Sequence, residues 1–155
     1  MDVEGRSASI LANQFPEMSF KSQVNRFEPQ PIACAKNTTL VYLVRNMFWN
    51  HSDAECIKIL RAFVPAMRES PGAVLLVNEM LSPAPGTFER NVEKSYRRRD
   101  VTVLTMHNAK QRTEDEWREL FVEASPEFEV SALLTRSLER LLNNSAHHPN
   151  RCYLS

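Results

Sequence analysis

The chain has little of what common nucleotide, redox and membrane sites need. It contains three glycines in 155 residues, and no P-loop or other glycine-rich phosphate motif occurs. The three cysteines, Cys34, Cys56 and Cys152, form no C-x-x-C pair, so we expect reduced thiols and a cytoplasmic protein. No hydrophobic run approaches the roughly 20 residues of a membrane-spanning helix, so we expect no membrane partner.

Charge of one sign is not in excess either. Nineteen Lys and Arg balance nineteen Asp and Glu, whereas a general nucleic-acid binder shows a basic excess. The run YRRRD (Tyr96–Asp100) could still bind an anionic partner, but the neutral total favours a solvated helix face. His147, His148 and Cys152 match no standard ligand spacing, so we expect no metal site.

What the sequence does contain is an alternation of strands and helices. Thr38–Phe48 is β-rich and almost continuously apolar, which predicts a strand buried on both faces of a parallel sheet. Two S/T-x-x-E capping boxes, at Ser52 and Thr113, predict helix starts. Further segments predict a helix, two strands and a basic helix: SASILANQF, PGAVLLVNEML, EFEVSALL and ERNVEKSYRRRDVTVLTMHN. The order predicts an α/β fold with crossover connections.

Two side chains near predicted strand ends are candidates for chemistry, because ligands bind beyond the carboxyl ends of parallel strands. Glu79 ends a buried apolar strand, where a carboxylate is unfavourable unless it is paired or faces a cleft. The alternative is a strand-end Glu that reaches solvent. His51 lies between a strand and a helix start, and is either a general base or a loop histidine without a role.

Several motifs occur together in one order. They are DAECIKIL, the PG turn at Pro71–Gly72, the loop SPAPG and KQRTEDEW, and they extend from about Thr39 to about Thr135. This arrangement resembles the C-terminal catalytic domain of S-adenosylmethionine-dependent O-methyltransferases of the plant and fungal small-molecule type. The resemblance implies a partial Rossmann-like methyltransferase sheet with flanking helices over residues 1–135. Residues 136–155 are expected to be a divergent, loose tail beyond a short helix.

In that family a histidine removes the proton from the acceptor hydroxyl, and two glutamates orient it. The resemblance places Trp49 at the histidine position and His51 at the position of the family's tryptophan, since FWNHSD stands where the family has F-H-N-W-S-D. Indole is a donor only and accepts no proton. Glu79 matches the first glutamate and is the implied catalytic residue. Gln111 stands in place of the second.

The resemblance also implies S-adenosylmethionine as cofactor, with Arg45, Gly5 and Asn25 at positions that contact it in relatives. A small molecule with a hydroxyl group is the implied acceptor. Two functions stay open: an O-methyltransferase-like protein, or a non-catalytic chain that binds a partner protein or a small ligand. Because the sheet is shortened, exposed sheet faces are expected to support homo- or hetero-association.

Overall fold

The computed structural model describes residues 6–21, 29, 32, 38–133 and 151–154. The helices and strands, in chain order, are α1 (Arg6–Gln14), β1 (Val41–Arg45), α2 (Asp53–Arg68), β2 (Val74–Asn78), α3 (Arg90–His107), α4 (Glu114–Ala124), β3 (Glu129–Leu133) and β4 (Arg151–Leu154). A single 3-10 turn, Phe48–Asn50, lies between β1 and α2. The predicted α/β fold is confirmed.

The sheet is parallel at every described pairing, in the order β1-β2-β4-β3. β1 and β2 are in register from Val41 opposite Val74 to Arg45 opposite Asn78. Their carboxyl ends therefore lie at one edge of the sheet. The segments Asn46–Asp53 and Glu79–Pro83 both leave the sheet at that edge.

Both predicted capping boxes form. Ser52 Oγ accepts from the Glu55 amide at 3.4 Å, and Glu55 Oε2 accepts from the Ser52 amide at 2.9 Å. Thr113 and Glu116 exchange the equivalent bonds at 3.3 and 2.8 Å. Each box satisfies orphan amides of a first helical turn and so fixes where α2 and α4 begin.

The core lies where α2 and α4 pack against each other and against one face of β1 and β2. Aromatic rings meet edge to face across it, with centroids 5.6 Å apart for Tyr42 and Phe63 and 5.3 Å apart for Phe48 and Trp117. Phe48 is fully buried, which anchors the 3-10 turn to the core. The turn that begins the candidate site is thus held by apolar burial.

The first strand differs from its prediction. Tyr42 and Val44 are buried, but Leu43 is 53% exposed and Arg45 is also exposed. β1 is one of the two edge strands of the described sheet, and the side chains of Leu43 and Arg45 on its second face are exposed. An uninterrupted apolar run therefore does not show that both faces of a strand are covered.

The tail also differs from its prediction. Arg151–Leu154, expected to be loose, forms β4 between β2 and β3. β4 pairs with β2 on one side and with β3 on the other. It therefore satisfies backbone N–H and C=O groups on an edge of each of these strands. The predicted short helix near Leu138 lies outside the described residues. Within the described ranges, no helix combines the length and apolar character needed to cross a membrane.

Candidate active site

A cavity of about 230 Å³ opens at the carboxyl edge of β1 and β2. Its walls come from four segments: the turn after β1, the loop after β2, helix α3 and the loop before α4. The lining residues are Asn46, Trp49, Glu79, Met80, Arg99 and Gln111. The two segments after the strands, which sequence reasoning selected, therefore meet in one place.

Glu79 is the buried carboxylate of the cavity, with 7% of its surface exposed. Its Oε1 accepts from the backbone amides of Met47 at 2.5 Å and Phe48 at 2.8 Å. Burial raises the pKa of Glu79 above its usual range, and the Phe48 and Met47 amides and the Arg112 charge oppose that rise. The side chain therefore reaches the cavity and not bulk solvent, and the strand-end alternative is wrong.

Trp49 lines the cavity and cannot accept a proton there. Its Nε1 donates to the carbonyl of Asn46 at 2.7 Å, and its ring lies 5.9 Å from that of His107, edge to face. Asn46 adopts a left-handed conformation with φ of 49°, which Asn tolerates better than most residues. This conformation turns the chain from β1 into the 3-10 turn.

Gln111 contributes an unpaired acceptor. The residue is 7% exposed, and its Oε1 is buried with no hydrogen-bond partner; Asn50 Oδ1 is the other such atom among the described residues. The backbone N–H of Gln111 donates to Asp100 Oδ1 at 3.0 Å, and this bond holds the loop against α3. A buried acceptor without a partner is unfavourable, and the surrounding atoms shield Gln111 Oε1 from solvent.

Arg112 organises the turn behind the cavity, and sequence reasoning missed it. Its guanidinium donates to the carbonyls of His51 at 2.8 Å and Phe48 at 3.3 Å and to Asp53 Oδ1 at 2.7 Å. Its side chain is 1% exposed and lies over the ring of Trp117. Partial burial acts to raise the pKa of Asp53, but the Arg112 hydrogen bond and charge, helped by Lys110, lower it overall.

The remaining predicted residues lie elsewhere. His51 is not among the cavity residues; its Nδ1 is 3.9 Å from Glu55 Oε2, on the α2 side of the turn. Arg45 ends β1 with an exposed side chain that does not line the cavity. Gly5 and Asn25 lie outside the described residues. The cofactor roles of these last three residues stay predictions.

Comparison with known proteins decides the family. A family model described as an O-methyltransferase domain matches residues 27–126. The chain belongs to the O-methyltransferase domain family. The predicted family is confirmed, and the relatives below agree with it.

The chain is similar to two fungal O-methyltransferases. It is 49% identical over 96 residues to O-methyltransferase phnC of Penicillium herquei, covering 62% of this chain and 22% of that one. It is 41% identical over 92 residues to O-methyltransferase pyvH of Aspergillus violaceofuscus, covering 59% of this chain and 21% of that one. The chain thus spans about a fifth of the length of these curated relatives.

A solved structure, of LepI in complex with SAM, shares the fold. The TM-score is 0.55 at 18% identity, over 77% of this chain and 34% of that chain. The partial Rossmann-like methyltransferase fold is therefore confirmed. The three positions that the O-methyltransferase resemblance marks for catalysis, here Trp49, Glu79 and Gln111, line a single cavity.

Proposed function

We propose that this O-methyltransferase-family chain binds a small molecule with a hydroxyl group in the cavity and lacks the base for fast methyl transfer. The observation that carries the proposal is that Trp49, Glu79 and Gln111 line the same cavity. Two of these side chains offer oxygen atoms to a hydroxyl. The third offers only an N–H, and that N–H already donates to Asn46.

Each polar side chain has a distinct task. Gln111 lines the cavity, and its side-chain amide forms a hydrogen bond with the ligand hydroxyl. Glu79 is held in place by two backbone amides, so its carboxyl group orients the same hydroxyl without a loss of side-chain freedom on binding. The indole of Trp49 and the thioether of Met80 form apolar walls that favour an aromatic ring.

The family's cofactor, S-adenosylmethionine, would supply an electrophilic methyl group when bound. The described residues fit it only in part: the cavity of about 230 Å³ is smaller than the roughly 300–1,000 Å³ of typical ligand pockets. The cavity therefore suits the acceptor, and we propose that Arg45, Gly5 and Asn25 contact the cofactor. Without a base at position 49, methyl transfer is slower by a factor of about 100 to 10,000.

A non-catalytic binding role is the second candidate, and the open face of β1 supports it. Leu43 is 53% exposed on that face, beside Arg45. β1 is an edge strand of the described sheet, and an edge strand with an exposed apolar side chain can associate with a second chain. We also propose a cytoplasmic location, for which Cys56, a free and buried thiol, fits a reducing compartment.

Two titrations test the proposal. S-adenosylmethionine is titrated into the protein by calorimetry, and phenol is titrated while the emission of the two tryptophans, Trp49 and Trp117, is followed. We expect phenol to quench the emission, and Glu79→Gln to weaken its binding. Glu119→Gln, an exposed acid on α4, is the matched control and should bind as wild type. Phenol binding that is absent, or unchanged in Glu79→Gln, contradicts the acceptor site. Absence of cofactor binding favours the non-catalytic candidate.

A further inference from the structure

The cavity contains a positive charge that the proposed function does not use. Arg99 on α3 lines the same cavity as Glu79 and Gln111. Its guanidinium contacts the sulfur of Met80 and forms no ion pair with any carboxylate of the described residues. A sulfur atom does not neutralise a cation, so this charge is available to a ligand.

Helix geometry explains why Arg99 faces the cavity and its neighbours do not. Arg99, Val103 and His107 follow each other at intervals of four residues, so they share one face of α3. Val103 is fully buried and His107 lies against Trp49, which fixes that face toward the 3-10 turn. Asp100, the next residue in the chain, accepts a hydrogen bond from the backbone N–H of Gln111 and so ties this part of α3 to the loop before α4.

The other two arginines of the run are placed differently. Arg97 pairs with Glu93 at 3.2 Å and donates to the Pro83 carbonyl at 2.9 Å, which ties α3 to the loop after β2. Arg98 is exposed and does not line this cavity. The run YRRRD is solvent-exposed at Arg98 and Arg99, as predicted, and Arg99 also lines the cavity of the candidate site.

We infer that Arg99 makes the cavity selective for hydroxyaryl carboxylates, with the hydroxyl at Glu79 and Gln111 and the carboxylate at Arg99. This inference rests on the proposed function. A guanidinium and a carboxylate form paired, charge-assisted hydrogen bonds that a neutral group cannot match. Trp49 and Met80 provide the walls for the ring between the two ends. Arg99 and Glu79 are the two ionisable groups of the lining.

The test compares 4-hydroxybenzoate with its neutral analogue 4-hydroxybenzamide at neutral pH, with Trp fluorescence as the readout. We expect the wild type to bind the carboxylate about tenfold more tightly than the amide, as one charge-assisted contact gives. Arg99→Met should abolish this preference, because the carboxylate loses a charge-assisted contact and the amide loses at most a neutral one. Arg99→Lys should retain part of the preference, because the charge stays while the planar fork is lost.

Arg98→Met is the matched control, since it removes an equal charge from the adjacent position outside the cavity. It should keep the wild-type preference. Equal binding of both ligands by the wild type, or a preference that survives in Arg99→Met, overturns the inference while the acceptor site stands. If neither ligand binds the wild type, the acceptor site itself is refuted, and this inference with it.

Discussion

Replacing Arg112 by Met should loosen the turn that carries the cavity. The change keeps an apolar stem over Trp117 but removes the donors to the His51 and Phe48 carbonyls and to Asp53. The Phe48 carbonyl keeps the His51 amide at 3.0 Å and the Cys56 thiol at 3.6 Å, and the His51 carbonyl keeps the Cys56 thiol at 3.6 Å. Both carbonyls therefore lose a charged donor, and these two lost hydrogen bonds determine most of the destabilisation.

The magnitude follows from these partners. Hydrogen bonds to a charged group contribute about 1.5–3 kcal/mol. The Asp53 side chain is 48% exposed, so its ion pair with Arg112 adds little. We expect Arg112→Met to lower the free energy of unfolding by about 2–3 kcal/mol.

Urea denaturation followed by circular dichroism measures this difference. Arg118→Met is the matched control: Arg118 pairs with Glu114 one turn away on α4, and both side chains are at least 40% exposed. That variant should change stability by no more than about 0.5 kcal/mol. If Arg112→Met and Arg118→Met destabilise equally, Arg112 does not hold the turn and the reasoning is refuted.

Two more predictions concern buried ionisable groups. Because the pKa of Glu79 is raised on folding, its contribution to stability is present below its unfolded pKa and is lost as pH rises through the folded pKa. As pH rises above about 4.5, the wild type should therefore lose stability relative to Glu79→Gln, so the unfolding free energy of the variant minus that of the wild type should increase. A difference that stays constant with pH would contradict this. Burial raises the pKa of Cys56 to about 12, so its thiol stays protonated and unreactive at pH 8. In a variant with Cys34 and Cys152 changed to Ser, the native protein should therefore resist iodoacetamide at pH 8, whereas the protein unfolded in urea should react. Fast alkylation of the native variant would be incompatible with this burial.

Local patterns predicted the parts of this fold that depend on nearby residues. The capping boxes at Ser52 and Thr113 formed because both partners lie within one helical turn. The resemblance found Trp49, Glu79 and Gln111 because they follow strands or precede helices in recognisable motifs. Such signals act within a few residues, and they located the candidate site.

Long-range contacts decided the rest. β4 pairs with β2, more than 70 residues earlier, and a short tail segment gives no local indication of that partner. Arg112 is buried because carbonyls about 60 residues away accept its protons. Arg99 differs from Arg97 and Arg98 through the helix face it occupies, which composition does not reveal. For β4 and Arg112 the missing information was the identity of a distant neighbour.

The central claim is that the acceptor cavity is retained while its base is lost. It is tested most directly by the rate of methyl transfer from labelled S-adenosylmethionine to 4-hydroxybenzoate in wild type and Trp49→His. An imidazole at position 49 can donate one N–H to the Asn46 carbonyl, as the indole does, and leave its other nitrogen as a base. We predict a rate at least about 100-fold higher for Trp49→His. A wild type that already transfers methyl as fast as Trp49→His would contradict the account.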